Sequence, residues 1–245
     1  MTKNPFSRYD IDHLSPSSLN LYAAEPAFWS LVYLHGHKDE TGPAAWRGSA
    51  VEAGVDAWLY KRDLQEATQA GINSFEANAL GELSRPIDAE RGLVPAMVKQ
   101  ACGALQSCPE PTARQLKIEY WFDGIEVPVI GFVDYEFEGH GFDLKTVRRM
   151  PSEMPPRHAR QIALYAAARK KPYSGLYVTD KKAEVKQVED AETHLKRLQW
   201  YAHSIRRLLS IFSDKHDVSR IFAPNFDTFY WSSEESKRLA KEIWE

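Results

Sequence analysis

Cysteine is scarce: the 245 residues contain only Cys102 and Cys108. Two thiols cannot by themselves build a four-cysteine zinc site or an iron–sulfur cluster. They also exclude a disulfide framework, and a reducing compartment is the simpler setting. No stretch approaches the ~20 apolar residues of a membrane-spanning helix. The opening MTKNPFSRYD has no apolar run, so it does not read as a signal peptide. The expectation is therefore a cytoplasmic protein without membrane contact. Neither a P-loop nor a GxSxG elbow is present, which argues against a nucleotide-driven helicase within this chain. The eight histidines show no ligand spacing, and His35-Gly36-His37 reads as part of an exposed polar loop. Seven tryptophans and eleven tyrosines could stack on bases, but most lie in apolar patterns, where core packing is the better reading.

Charge of one sign is also modest, at a net −3. Its distribution is uneven. Between Lys145 and Lys171 stand eight basic residues, Lys145, Arg148, Arg149, Arg157, Arg160, Arg169, Lys170 and Lys171, against the single acid Glu153. Such segregation can attract a polyanion despite an acidic whole. A solvated helix face with a basic loop is the alternative.

The pattern of the chain is helical, then extended, then mixed. SPSSLNLYAA (15–24) reads as a helix with Ser15 as N-cap and Pro16 at its first position. Residues 26–34 are rich in aromatics, and 35–45 read as a polar loop. Residues 48–62, 63–80 and 88–106 have helical periodicity, with a break at Arg85-Pro86. QLKIEYWF (115–122), IEVPVIGFVDYEFE (125–138) and FDLKTV (142–147) read as strands. Asp123-Gly124 predicts a hairpin turn between the first two, and Pro128 suggests an irregular start to the second. A helix over 157–171, strands over 174–180 and 183–189, and a long helix over 190–213 follow. The tail from 218 reads as an aromatic loop with a last helix from Ser232. This order predicts one α/β domain over 1–245, with a mixed sheet flanked by helices. Its parts are a helical region (14–108), a sheet-and-helix region (115–189) and C-terminal helices (190–245).

Within the extended region, Asp143 and Lys145 lie two apart and share one strand face. The GHG turn (139–141) brings Asp134 of the preceding strand alongside. Two carboxylates, water and a substrate phosphate make a Mg²⁺ site. Such a cation can activate water and stabilise a leaving phosphodiester oxygen. Lys145 would then orient or deprotonate the water, or neutralise charge on the phosphate. The rival reading is an exposed edge with an Asp–Lys pair worth ~0–1 kcal/mol. Gln161 and Tyr165 lie four apart on one helix face. Glu52 sits among small residues, where either a solvated helical acid or a site residue would fit.

Taken together, LSPSSLNLY (14–22), RGSAVEAG (47–54), IEYWF (118–122), VIGFVD (129–134), FDLKT (142–146) and RQIALYAAA (160–168) resemble the PD-(D/E)xK nuclease superfamily, in its RecB-like and phage-exonuclease branches. The resemblance implies a restriction-endonuclease-like core and Mg²⁺-dependent cleavage of DNA phosphodiesters, with Mn²⁺ as a substitute. It implies metal ligation by Glu52, Asp134, Asp143 and the Leu144 carbonyl, with Lys145 catalytic and Gln161 and Tyr165 supporting. Glu119 matches an acid of the preceding strand without a firm role. The branch whose members carry an iron–sulfur cluster is excluded by the cysteine count. A glutamate at 52, where many RecB-type members have histidine, looks more like the lambda-type recombination exonucleases. That likeness implies linear duplex DNA as substrate, a trimeric ring, and a single-strand annealing or recombination partner. Ser15, Ser17 and Arg47 become candidates for a terminal phosphate, and Arg148, Arg149, Arg157 and Arg160 for the DNA backbone. Helix capping by the serines and a salt bridge for Arg47 remain open. An endonuclease or structure-specific nuclease of the same superfamily, or a non-catalytic DNA-binding protein on the same fold, is the alternative.

Overall fold

Ser15 caps the first helix through the capping box that its sequence suggests: its Oγ accepts from Ser18 N–H at 3.0 Å. The computed structural model describes residues 4–38 and 41–245. After a 3₁₀ turn (Phe6–Tyr9) come α1 (Pro16–Ala24), α2 (Pro26–Tyr33), α3 (Pro43–Lys61), α4 (Leu64–Ala79), α5 (Arg85–Arg91) and α6 (Val94–Ala104). Three strands follow, β1 (Ala113–Tyr120), β2 (Val129–Glu136) and β3 (Gly141–Thr146). Then come α7 (Pro156–Arg169), β4 (Tyr173–Val178), β5 (Ala183–Gln187), α8 (Ala191–Ile211), α9 (Lys215–Arg220), a 3₁₀ turn (Phe229–Trp231) and α10 (Glu234–Trp244). No described helix is long and apolar enough to cross a membrane.

The sheet runs β1-β2-β3-β4-β5. Only β3 and β4 are parallel, joined by the α7 crossover, and the other pairs are antiparallel. The sheet is thus mixed and flanked by helices. One core packs α1, α7 and α8 against β1 and β2, through Leu19, Ile162, Leu198 and Ile205 with Ile118 and Val133. A second packs α3, α4 and α6 against β3 and β4, through Val51, Val98, Phe142 and Leu176. Gly54 explains why a glycine is kept inside α3: a Cβ there would lie 2.6 Å from Val98 Cγ2 and 2.9 Å from Ala67 O. The close approach of α3, α4 and α6 outweighs the ~1 kcal/mol that glycine costs a helix.

The aromatic-rich stretch is helical over Pro26–Tyr33, started by Pro26 in the position proline tolerates. Three local expectations need correction. Arg85-Pro86 begins α5 rather than breaking a helix, because Ser84 Oγ caps it at Ile87 N–H and Pro86 sits in the first turn. The break falls just before it, over residues 80–84, and a further interruption at Gly92 and Leu93 splits the expected 88–106 helix. The β1–β2 connection is not a two-residue hairpin, although Asp123-Gly124 does turn, with Gly124 at φ 71°. It spans residues 121–128, because Phe122, Ile125 and Val127 turn into the core and Pro128 cannot donate to a ladder. Leu14 pairs there instead, its N–H donating to Pro128 O at 2.9 Å and its O accepting from Ile130 N–H at 2.8 Å. Finally, His35 and His37 are not simply exposed. His37 is buried beside the Phe28 ring, and His35 Nε2 contacts Ser219 Oγ at 2.9 Å. The expected polar loop 35–45 also contains residues 39–40, which lie outside the described residues.

Candidate active site

β2 and β3 part company at one point. They pair at Tyr135–Phe142 and Glu136–Gly141, and the paired ladder stops there. The same register would set Asp134 opposite Asp143. Instead the Asp134 carboxylate enters the gap and Oδ2 accepts the Leu144 N–H at 2.6 Å, a bond that a strand carbonyl would otherwise supply. On β3 the alternation is strict: Phe142 and Leu144 belong to the α3–α6 core, while Asp143 and Lys145 face α7. Asp143 is 1% exposed. Its Oδ2 stands 2.6 Å from Lys145 Nζ in ion-pair contact. An acid and a lysine on one apolar strand are therefore paired with each other, as buried charges must be.

Lys145 has a second partner. Its Nζ donates to Gln161 Oε1 at 3.1 Å, and Gln161 Nε2 donates to Tyr165 Oη at 2.7 Å. The i,i+4 spacing on α7 makes this relay possible. Tyr165 is buried under β2 at Gly131, where a Cβ would lie 2.6 Å from Tyr165 Cε1. The glycine three residues before Asp134 thus makes room for the ring that ends the relay.

Glu52 approaches from α3. It lines one cleft of about 310 Å³ with Asp134, Asp143, Lys145 and Gln161. Burial, then the neighbouring Asp56, pushes the Glu52 carboxyl above its ordinary value. Burial and the charges of Asp143 and Glu52 push Asp134 well up. Asp143 is also raised, by burial, against the opposing pull of Lys145. Three acids held at such cost are a donor set that a divalent cation would relieve. Asp143 Oδ2 adds to the fit, since it is buried with no hydrogen-bond partner beyond that ion-pair contact. Among the described residues no three His, Cys, Asp or Glu side chains already stand at the spacing of a formed metal centre. What separates Glu52 from Asp134 is Gln115. Its Nε2 donates to Asp134 Oδ1 at 3.2 Å and to Glu52 Oε1.

Gln115 is the residue that sequence reasoning missed. It lies on β1 between the Arg114–Tyr135 and Leu116–Val133 pairs, and so falls across from Asp134. Its φ is 45°, in the left-handed region that costs a non-glycine residue energy. No sequence motif marks it. Its only signal was one polar residue at the start of an alternating strand. Phe132, two before Asp134 on the same face, also lines the cleft and is 52% exposed.

The other candidates are placed unevenly. Glu119 stays outside the cleft, exposed and paired with Lys117 Nζ at 2.8 Å. Ser15 spends its hydroxyl on the cap, while Ser17 is exposed and lines a groove next to Lys145. Arg47 is 4% exposed, ion-paired with buried Glu90, and donates to Thr146 O at 3.3 Å. An arriving phosphate would have to break that buried pair, so the salt-bridge reading of Arg47 describes its geometry. Arg148 Nη2 reaches the same Glu90 at 2.7 Å. Arg149 and Arg157 are exposed, and Arg160 Nε donates to Asn20 Oδ1 at 2.6 Å. The basic window is also partly neutralised, since Arg169 and Lys171 both bind Glu136 and Lys145 binds Asp143.

Comparison with known proteins bears on the fold and the family. Among solved structures, a protein from Eubacterium rectale whose name carries a provisional assignment as an exonuclease aligns with a TM-score of 0.58 and 14% identity, over 86% of each chain. That likeness is one of fold. The structure named SSO0001 aligns at a TM-score of 0.35 and 12% identity, over 73% of this chain and 84% of that one, too low to support any argument. No curated protein matches. The family model of the PD-(D/E)XK nuclease superfamily matches residues 13–228, and the chain belongs to that superfamily.

Proposed function

We propose that this nuclease is a Mg²⁺-dependent DNA exonuclease, acting from ends of linear duplex DNA in recombination or DNA processing. The observation that carries the reading is the convergence of buried Asp143 with half-buried Asp134, Glu52 and Lys145 on one cleft. Glu52, Asp134, Asp143 and the Leu144 carbonyl would hold the cation, with Mn²⁺ able to substitute. The cation would polarise the scissile phosphate and lower the pKa of the attacking water.

The chain's own groups do the rest. Asp143 fixes the Lys145 ammonium, and Gln161 holds it from the other side. So held, the ammonium can orient the water or stabilise charge as it develops on the phosphate. Tyr165 accepts from Gln161 Nε2, which keeps the Gln161 Oε1 acceptor turned towards Lys145. Arg149, Arg157, Arg160 and Lys170 are the basic residues of the window without a carboxylate partner described above, and the three arginines are the candidates for tracking the backbone.

Action from ends rests on the glutamate at position 52 and on the provisional exonuclease name of the fold relative. A single domain rests on the order of the elements in the sequence, and a trimeric assembly and an annealing partner rest on the sequence resemblance alone. The test is incubation with Mg²⁺ of a linear 5′-phosphorylated duplex and a relaxed, covalently closed circle, with Lys145→Ala as control. Loss of the linear DNA only, absent in the variant, supports the exonuclease. Cutting of the circle moves the assignment to an endonuclease or structure-specific nuclease. Binding without cleavage under Mg²⁺ or Mn²⁺ moves it to a DNA-binding protein on a nuclease fold.

A further inference from the structure

The active-site cleft does not end at Lys145. Lys145 and Gln161 also line a second groove, with Ser17, Asn20, Arg157 and Tyr230. Tyr230 in turn lines a third cleft, of about 630 Å³, with Phe28, Ala45 and Phe229. Ala45 belongs to both this cleft and the active-site cleft. The three hollows therefore share walls at Lys145, Gln161, Ala45 and Tyr230. Their walls change along the way, from carboxylates, to a cation with hydroxyl and amide groups, to aromatic rings.

At the aromatic end, Phe229 and Tyr230 lie with ring centroids 4.1 Å apart and planes 32° from parallel. Phe229 is 71% exposed beside half-buried Tyr230. Tyr230 is anchored from below, 5.7 Å from the Phe28 ring. A rigid ring with a bare neighbour, beside a path carrying Lys145 and Arg157, matches what an unpaired nucleic-acid strand needs: positive charge for the phosphates and π-faces for the bases.

We infer that Phe229 and Tyr230 form a stacking platform for unpaired nucleobases of the DNA strand whose phosphate lies at Lys145. The inference rests on the DNA-nuclease reading and adds a substrate class to it: duplex ends that fray, or that already carry a short unpaired stretch. The platform takes any base, because it recognises the π-face and not the hydrogen-bonding edge. It therefore supplies affinity and positioning without sequence preference.

The test uses the full chain with Lys145→Ala and no divalent cation, so that the DNA stays uncut, and two duplexes with a short single-stranded extension. One carries bases in the extension and the other abasic sugars. With Phe229 present, loss of the bases weakens binding roughly tenfold. Phe229→Ala abolishes that difference and Phe229→Trp widens it. Because Phe229 is exposed, neither change threatens the fold. A 2-aminopurine in the extension is quenched by the protein with Phe229 and not by Phe229→Ala. Equal affinity for the two DNAs, or a penalty that survives Phe229→Ala, overturns the platform. The nuclease reading fails separately, if native protein with Mg²⁺ cleaves no DNA at all. Cleavage by native protein that is indifferent to abasic sugars refutes the platform alone.

Discussion

Gln115 stands across the β1–β2 pair from Asp134 and donates its carboxamide to both Asp134, at 3.2 Å, and Glu52. A neutral donor thus holds two acids from different elements in register. It does so from a backbone at φ 45°, and such strained positions cluster at functional sites.

Two substitutions separate strain from chemistry. Gln115→Ala keeps the left-handed backbone and loses the amide, whereas Gln115→Gly loses the amide and relieves the strain. The glycine variant melts higher than the alanine variant, by about 1 kcal/mol in stability. Both lose turnover to a similar extent. Equal melting temperatures, read by thermal denaturation, would show that the position is not strained.

Lys145→Ala lowers turnover by about 10²–10³, the usual loss when one transition-state donor is removed. Substrate affinity changes less, since the ammonium is already engaged by Asp143 and Gln161. Single-turnover cleavage assays read the difference, and unaltered turnover in this variant refutes the assignment.

Gly131→Ala places a methyl group 2.6 Å from the Tyr165 ring. Overpacking of this kind costs about 1–3 kcal/mol. Because Gly131 lies three residues before Asp134 on β2, the strain also displaces that carboxylate. The expected outcome is a lower melting temperature together with a loss of turnover larger than the loss of folded protein explains.

Arg47→Ala destabilises by about 3 kcal/mol, because Glu90 is left buried without its closest partner. Preference for 5′-phosphorylated over 5′-hydroxyl ends is unchanged. A variant of native stability that has lost the phosphate preference would restore Arg47 to phosphate binding.

Acid stability has its own anchor. Glu136 is buried under Arg169, Tyr173 and Lys171, and these hydrogen bonds hold its carboxyl down at about 2, from an ordinary value of 4.5. The folded value lies below the unfolded one. The pair's contribution is therefore complete above the ordinary carboxylate range, and it is lost as pH falls from there towards 2. Glu136→Gln removes about 2 kcal/mol at neutral pH, a figure reduced for the part-exposed Arg169. The variant's denaturation midpoint then falls less steeply between pH 5 and pH 2 than that of the native protein.

Much of this site could be read from the chain because its chemistry is local. Asp143 and Lys145 alternate on one strand, Gln161 and Tyr165 are one helical turn apart, and the GHG turn brings Asp134 within reach. The helix α8 falls where its periodicity puts it, within two residues at each end, whereas α3 begins at Pro43, inside the expected loop 35–45. What could not be read depends on distant partners. Glu90 is 43 residues from Arg47, and Gln115 is 63 residues from Glu52. The basic window was visible as charge, but its neutralisation by Glu136 and Glu90 was not. Pro86 misled for a different reason, because proline marks a helix start as readily as a break, and only the Ser84 cap decides between them.

The gap between β2 and β3 has a consequence for observing the protein at work. The Leu144 amide proton is held by a side-chain carboxylate and not by a neighbouring strand. Its exchange with solvent deuterium is therefore governed by what Asp134 is doing, while the amides of Phe142 and Tyr135 report the integrity of the sheet. One backbone proton in the middle of the protein thus acts as a built-in indicator of carboxylate occupancy. It can be read by NMR in the native sequence, without a label or a substitution.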